Sequence, residues 1–171
     1  MASDPAALYI VIAPITAAFA GFGSLANSLG PDRGGDDARL DAFRLSTMLF
    51  ASLSATLLGL LPATIEGLGV DANAAERLAA LAGALAIAVY VPMGLGRVRK
   101  IRGVTGYSRL GGAANSLSLA VAFVGFAGCA GAIRSELTAG FYLLGLMGLL
   151  SSSVVMFWRV IASMLRPAHG S

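Results

Sequence analysis

Two clusters of charged residues have types and spacings that could do chemistry. Arg97, Arg99, Lys100, Arg102 and Arg109 place five positive charges and no acid in one short stretch. Beside a membrane, such a run attracts anionic lipid headgroups at about 1 kcal/mol per charge, so these five are the candidate anionic-lipid contacts. Gly103 and Gly106 within it fit neither GxxxxGK[ST] nor a strand-led GxGxxG, so no nucleotide loop is read there. The second cluster is Asp32, Asp36, Asp37 and Asp41, which could be imagined around a divalent cation. It lacks the EF-hand spacing and its twelfth-position glutamate, and Arg33, Arg39 and Arg44 neutralise it locally. No metal site is read from it.

Scarcity removes other chemistries. Cys129 is the single cysteine, which excludes an intramolecular disulfide and a CxxC pair. The single histidine, His169, lies near the C-terminus, leaving no imidazole within an apolar segment to ligate a metal or shuttle protons. The single lysine, Lys100, belongs to the basic run, so no amine is available for an intramembrane Schiff base. No nucleophile–base pair can be assembled. The expectation is a chain with no catalytic, cofactor-binding or metal-binding residues, and not an enzyme.

The elements that carry these residues are apolar. Of 171 residues, 57% are hydrophobic and 12% charged, against roughly a quarter charged in a soluble domain, and mean hydropathy is +0.79. Five apolar segments, about 7–29, 45–65, 78–96, 113–133 and 137–160, approach the roughly 20 residues that cross a bilayer. The fold class expected is therefore all-α: one integral membrane domain over 1–171, five transmembrane helices in a compact bundle. Asp36 and Asp37 precede the second segment as a helix start with acid in its first turn. Segments four and five, separated by Arg134-Ser135-Glu136, form a tight hairpin.

Cytoplasmic loops retain arginine and lysine. Taken alternately, the connections and tail divide the basic residues ten to two, with Arg77 and Arg134 alone on the poorer side. That places the N-terminus outside and the C-terminus in the cytoplasm, and explains the net charge of +3 without a nucleic-acid partner. Tyr9 and Tyr142 are expected at the outer interface and Trp158 at the inner one. Residues 1–5 carry no basic n-region, so the first segment reads as a retained span. The Ala/Gly/Leu/Arg bias points to a bacterium, and the multi-pass pattern to its inner membrane. The stretches Ala20-Gly21-Phe22-Gly23-Ser24-Leu25 and Phe141-Tyr142-Leu143-Leu144-Gly145 resemble parts of small uncharacterised bacterial multi-pass inner-membrane proteins. The resemblance implies that architecture and carries no activity.

Within the segments, small residues recur at four-residue spacing: Ala13, Ala17 and Gly21; Ala79 and Gly83; Gly128 and Ala132; Gly148 and Ser152. Such stripes let backbones approach. Pro14, Pro62 and Pro92 each remove a backbone donor and should bend their helices. No ionisable residue falls near mid-bilayer; Arg44, Glu66, Arg97, Arg134, Glu136 and Arg159 read as segment-end groups that reach the headgroups. The hydroxyls of Thr16, Ser46, Thr47, Ser52, Thr56, Ser116, Ser118 and Ser151–Ser153 can satisfy themselves on their own helix carbonyls. Asn27 and Asn115, each in an Ala-Asn-Ser-Leu tetrapeptide, share a depth; they either cap their helix ends or hydrogen-bond across the bundle.

Missing intramembrane charge argues against ion or proton coupling. The function expected is a non-catalytic accessory or scaffold protein that packs with itself or another membrane protein. The alternative is a small permeation protein acting as an oligomer on a neutral solute, lipid or ion. A closed bundle favours the first and a polar, water-wide cavity the second.

Overall fold

The computed structural model describes residues 5–29, 35–101, 108–131 and 135–164. These form five helices: α1 (Pro5–Leu29), α2 (Gly35–Glu66), α3 (Ala72–Ile101), α4 (Arg109–Ala130) and α5 (Ser135–Met164). Four stretches, Arg39–Glu66, Ala72–Arg97, Arg109–Ala130 and Leu137–Ser163, are long and apolar enough to cross a membrane. In α1 the apolar stretch Leu8–Gly23 is shorter. The all-helical architecture and four membrane-length helices thus match the sequence reading. The helices overrun the apolar segments: α3 begins six residues before 78, and α2 ten before 45.

Three helix boundaries show a local cause. Ser108, in extended conformation, accepts a hydrogen bond from the Gly111 amide and caps α4. Asp71 accepts from the amides of Asn73 and Ala74 at the start of α3. The turn from α2 into α3 passes through Gly69 at φ +89°, a left-handed conformation that glycine adopts without strain.

The helices alternate in direction. Tyr9 (α1), Leu58 (α2), Glu76 (α3), Cys129 (α4) and Tyr142 (α5) meet at one end. At the opposite end, the Arg159 side chain of α5 lies over Gly111 of α4. That second end is the basic one: Arg39, Arg44, Arg97, Arg109 and Arg159 belong to it. α5 packs against each of the other four helices, which follow one another around it in chain order; α2 and α4 do not pack together.

The core is made of small residues and a few large ones. Ala51, Ala55, Ala75, Ala79, Ala80 and Ala122 are fully buried, and Phe126, Tyr142, Met48, Leu146 and Leu149 fill the space between them. The tightest approach joins α4 and α5. A Cβ on Gly125 would strike the Gly145 backbone, and one on Gly148 would strike the Ala122 backbone. One of the expected stripes needs correction here. Ala17 and Gly21 are exposed, and a Cβ at Gly21 would meet nothing. Gly125 and Gly145 hold the close contact instead, because helix approach depends on which small residues face each other and not on spacing within one chain. Ala132 lies outside the described residues.

Candidate functional site: a lateral groove and two polar layers

Three prolines sit inside helices, at Pro14, Pro62 and Pro92. Each lacks the N–H that would reach the carbonyl four residues earlier, which leaves Ile10, Leu58 and Ala88 without that donor. Leu58 is served from another helix, where the Tyr142 hydroxyl of α5 donates to its carbonyl. Ala88 and Pro92 both line a groove of about 380 Å³ between α3 and α4.

The groove lies over the gap between α2 and α4. Phe43 and Thr47 of α2 form its inner wall, Ile87, Ala88, Val91 and Leu95 one side, and Leu119, Ala120 and Phe123 the other. Small side chains at Ala88, Gly94 and Ala120 keep it open. Ala88, Pro92, Leu95, Ser116, Ala120 and Phe123 are exposed, so the groove opens sideways from the bundle. Its volume is within the roughly 300 to 1,000 Å³ of small-molecule sites.

Polar groups cluster at the floor. Tyr90, stacked on Phe50 at 3.7 Å, donates to Thr47 Oγ1 at 2.9 Å, and Thr47 donates in turn to the Phe43 carbonyl. Asn115 is 7% exposed, and its Oδ1 accepts from Ser152 Oγ at 2.7 Å. Its amide nitrogen makes no hydrogen bond to a described residue, and Asn115 is one of the residues that line the groove.

Asn115 belongs to a layer of polar side chains that tie the helices together. Ser52 donates to Ser153 across α2 and α5 at 3.1 Å, and Thr16 and Thr56 share a hydrogen bond across α1 and α2 at 2.8 Å. The same hydroxyls also bond their own helices: Thr16 to the Ile12 and Ala13 carbonyls, Thr56 to Ser52, Ser153 to Leu149. Self-satisfaction, the sequence expectation, therefore holds for these three and coexists with bonds between helices.

A second layer lies at the end opposite Arg97, Arg109 and Arg159. Glu76, 9% exposed, accepts a hydrogen bond from the Tyr9 hydroxyl at 2.8 Å. Its backbone carbonyl accepts a weak one from Cys129 Sγ at 3.8 Å. Tyr9 stands edge-on to Tyr142, with ring centroids 5.0 Å apart. The sequence alone puts these tyrosines at a lipid interface; the structure buries both, Tyr142 completely. Their hydroxyls find partners inside the bundle, which removes the reason to remain wet. Glu76 was missed because the predicted third segment began at 78.

The remaining sequence candidates fall as follows. Arg97 and Arg109 are exposed at the ends of α3 and α4. The side chains of Arg99 and Lys100, and the whole of Arg102, lie outside the described residues. Asn115 sits six residues inside α4, so Ser108 rather than Asn115 caps that helix; the side chain of Asn27 lies outside the described residues. Arg44 was expected to reach the headgroups, but it is 5% exposed and pairs with Asp41 at 2.9 Å one turn earlier. The longer α2 moves Arg44 from a segment end into the helix, where a carboxylate neighbour replaces water. No group of three or more metal-ligating side chains occurs among the described residues. Family models, curated proteins and solved structures include no match to this chain.

Proposed function

We propose that the chain is a five-span protein of a bacterial inner membrane, N-terminus outside and C-terminus cytoplasmic, that works without catalysis by packing with itself or with another membrane protein. α1, at 25 residues, is about 37 Å long at 1.5 Å per residue, enough to cross a hydrocarbon core of about 30 Å. Its Tyr9 and Thr16 bond residues of neighbouring helices, which supports counting it as a fifth span. The ten-to-two division of basic residues supports the orientation.

One observation carries the functional reading. The polar side chains within the helices that could line a route, Thr16, Ser52, Thr56, Asn115, Ser152 and Ser153, are paired with one another across helices. A permeating ion needs groups that replace its hydration, and here those groups hold the bundle together. Purified protein in liposomes is expected to leave proton, sodium and potassium leak at the empty-vesicle level between pH 5 and 8. Donor- and acceptor-labelled copies should retain energy transfer on dilution with lipid if the partner is a second copy. Flux that grows with protein-to-lipid ratio, and that a bulky replacement at Ser52 or Ser152 blocks, would replace this reading with permeation.

A further inference from the structure

We infer that the groove between α3 and α4 seats one acyl chain of an anionic phospholipid, with the phosphate at Arg97 and Arg109 and the ester region beside the Asn115 amide. The inference rests on the membrane reading above and adds a ligand to it.

The walls set the first part of the ligand. Ile87, Val91, Leu95, Leu119 and Phe123 offer hydrocarbon contact along about two turns of each helix, and the groove opens sideways, the direction from which a bilayer lipid enters. An acyl chain there replaces lipid contact with protein contact of equal polarity, so its affinity must come from the polar groups at the ends.

Charge sets the second part. The two helices that wall the groove are the two that the basic connection joins. Arg97 lies two residues beyond the wall residue Leu95, and Arg109 six residues before Asn115; both are exposed. Arg99, Lys100 and Arg102 are covalently between them, and no acid occurs from 97 to 109. Positive charge is thus concentrated at one end of the groove and complements a phosphate. Arginine can also meet it with two parallel hydrogen bonds.

Depth sets the third part. Asn115 lies about 9 Å from Arg109 along the axis of α4. The headgroup layer is roughly 5 to 7 Å thick on each side of the hydrocarbon core, so a phosphate held by the arginines places its ester carbonyls near the Asn115 level. Asn115 is more than nine-tenths buried, its oxygen is taken by Ser152, and its N–H groups remain to donate. Ester carbonyls accept hydrogen bonds and do not donate them. The match is therefore specific in sense as well as in place.

The test uses native mass spectrometry of the whole protein, extracted in mild detergent and offered phosphatidylglycerol and phosphatidylcholine with identical oleoyl chains. The wild type should retain phosphatidylglycerol preferentially. Arg97→Gln with Arg109→Gln should lower that preference about tenfold or more, while the eight other basic residues of the same side keep the orientation. Ala120→Phe and, on the opposite wall, Ala88→Phe fill the groove at exposed positions and should each abolish retention. Two separate fillings guard against one variant failing to fold, and thermal unfolding of each verifies that it has folded. Equal retention of the two lipids by the wild type, or undiminished phosphatidylglycerol on both folded filled variants, would overturn the site. A chain found outside the membrane fraction would instead sink the membrane reading, and the site with it.

Discussion

The Tyr142 hydroxyl donates to the Leu58 carbonyl, the very carbonyl that Pro62 deprives of its helical donor. A bend in α2 and a tyrosine in α5 are thus one device: the proline frees an acceptor inside the bundle, and the tyrosine satisfies it from the next helix. In an apolar environment an unpaired backbone carbonyl is costly, so neither residue is independent of the other.

Tyr142→Phe should therefore lower stability in detergent by about 1 to 2 kcal/mol. Pro62→Ala restores an N–H in reach of Leu58, so the double variant Tyr142→Phe with Pro62→Ala should lose less than the sum of the singles. Thermal unfolding of the four proteins gives the coupling. Strict additivity would show that the hydroxyl and the proline do not share the carbonyl.

Glu76 is the acidic member of the layer at the same end. Glu76→Gln keeps an oxygen that can accept from Tyr9, whereas Glu76→Leu leaves a buried tyrosine hydroxyl without this partner. The glutamine variant should unfold close to the wild type, and the leucine variant should be about 1 to 3 kcal/mol less stable. Tyr9→Phe combined with Glu76→Leu should recover part of that loss. Equal unfolding of the two single variants would show that the hydrogen bond does not matter.

The α4–α5 contact distinguishes glycines of the same helices. Gly125→Ala and Gly148→Ala drive a methyl into the backbone opposite, whereas Gly140→Ala adds one to open space. The first two should reduce the yield of folded protein and its melting temperature sharply. Gly140→Ala should be neutral or raise stability by up to about 1 kcal/mol, since alanine is the better helix former. Size-exclusion profiles and melting curves of the three variants decide it.

Orientation has a direct readout. With basic residues split ten to two, a C-terminal fluorescent fusion should be bright and a C-terminal alkaline phosphatase fusion inactive. Exchange of Arg97, Arg99 and Arg102 for lysine should leave both results unchanged, because that rule reads charge rather than guanidinium shape. An active phosphatase would reverse the assignment or change the number of spans.

Hydropathy made the helical architecture legible, because runs as apolar as 45–65 and 137–160 have few other ways to satisfy their backbones in lipid. Helix ends were less legible: the charged turns around Glu76 and Arg44 interrupt the apolar pattern while the backbone stays helical. The inward aim of Glu76 was hidden for a second reason. α3 is apolar on all sides, so no polar face marks which residues turn to the core. The partner of Asn115 was hidden because Ser152 is 37 residues away, and only the register of α4 against α5 brings them together. The basic run was plain in sequence; the groove beside it depends on where α2 and α4 part.

The central place of α5 has a consequence for biosynthesis. A ribosome delivers the helices in chain order, and this helix arrives after the four against which it packs. Until then Leu58 lacks its tyrosine, Asn115 its serine and Ser52 its hydrogen-bond acceptor. The earlier helices must wait as a loose, incompletely bonded set, and final assembly is timed by the emergence of α5. A nascent chain arrested before residue 135 should accordingly be open to membrane proteases at positions that release of the full chain protects.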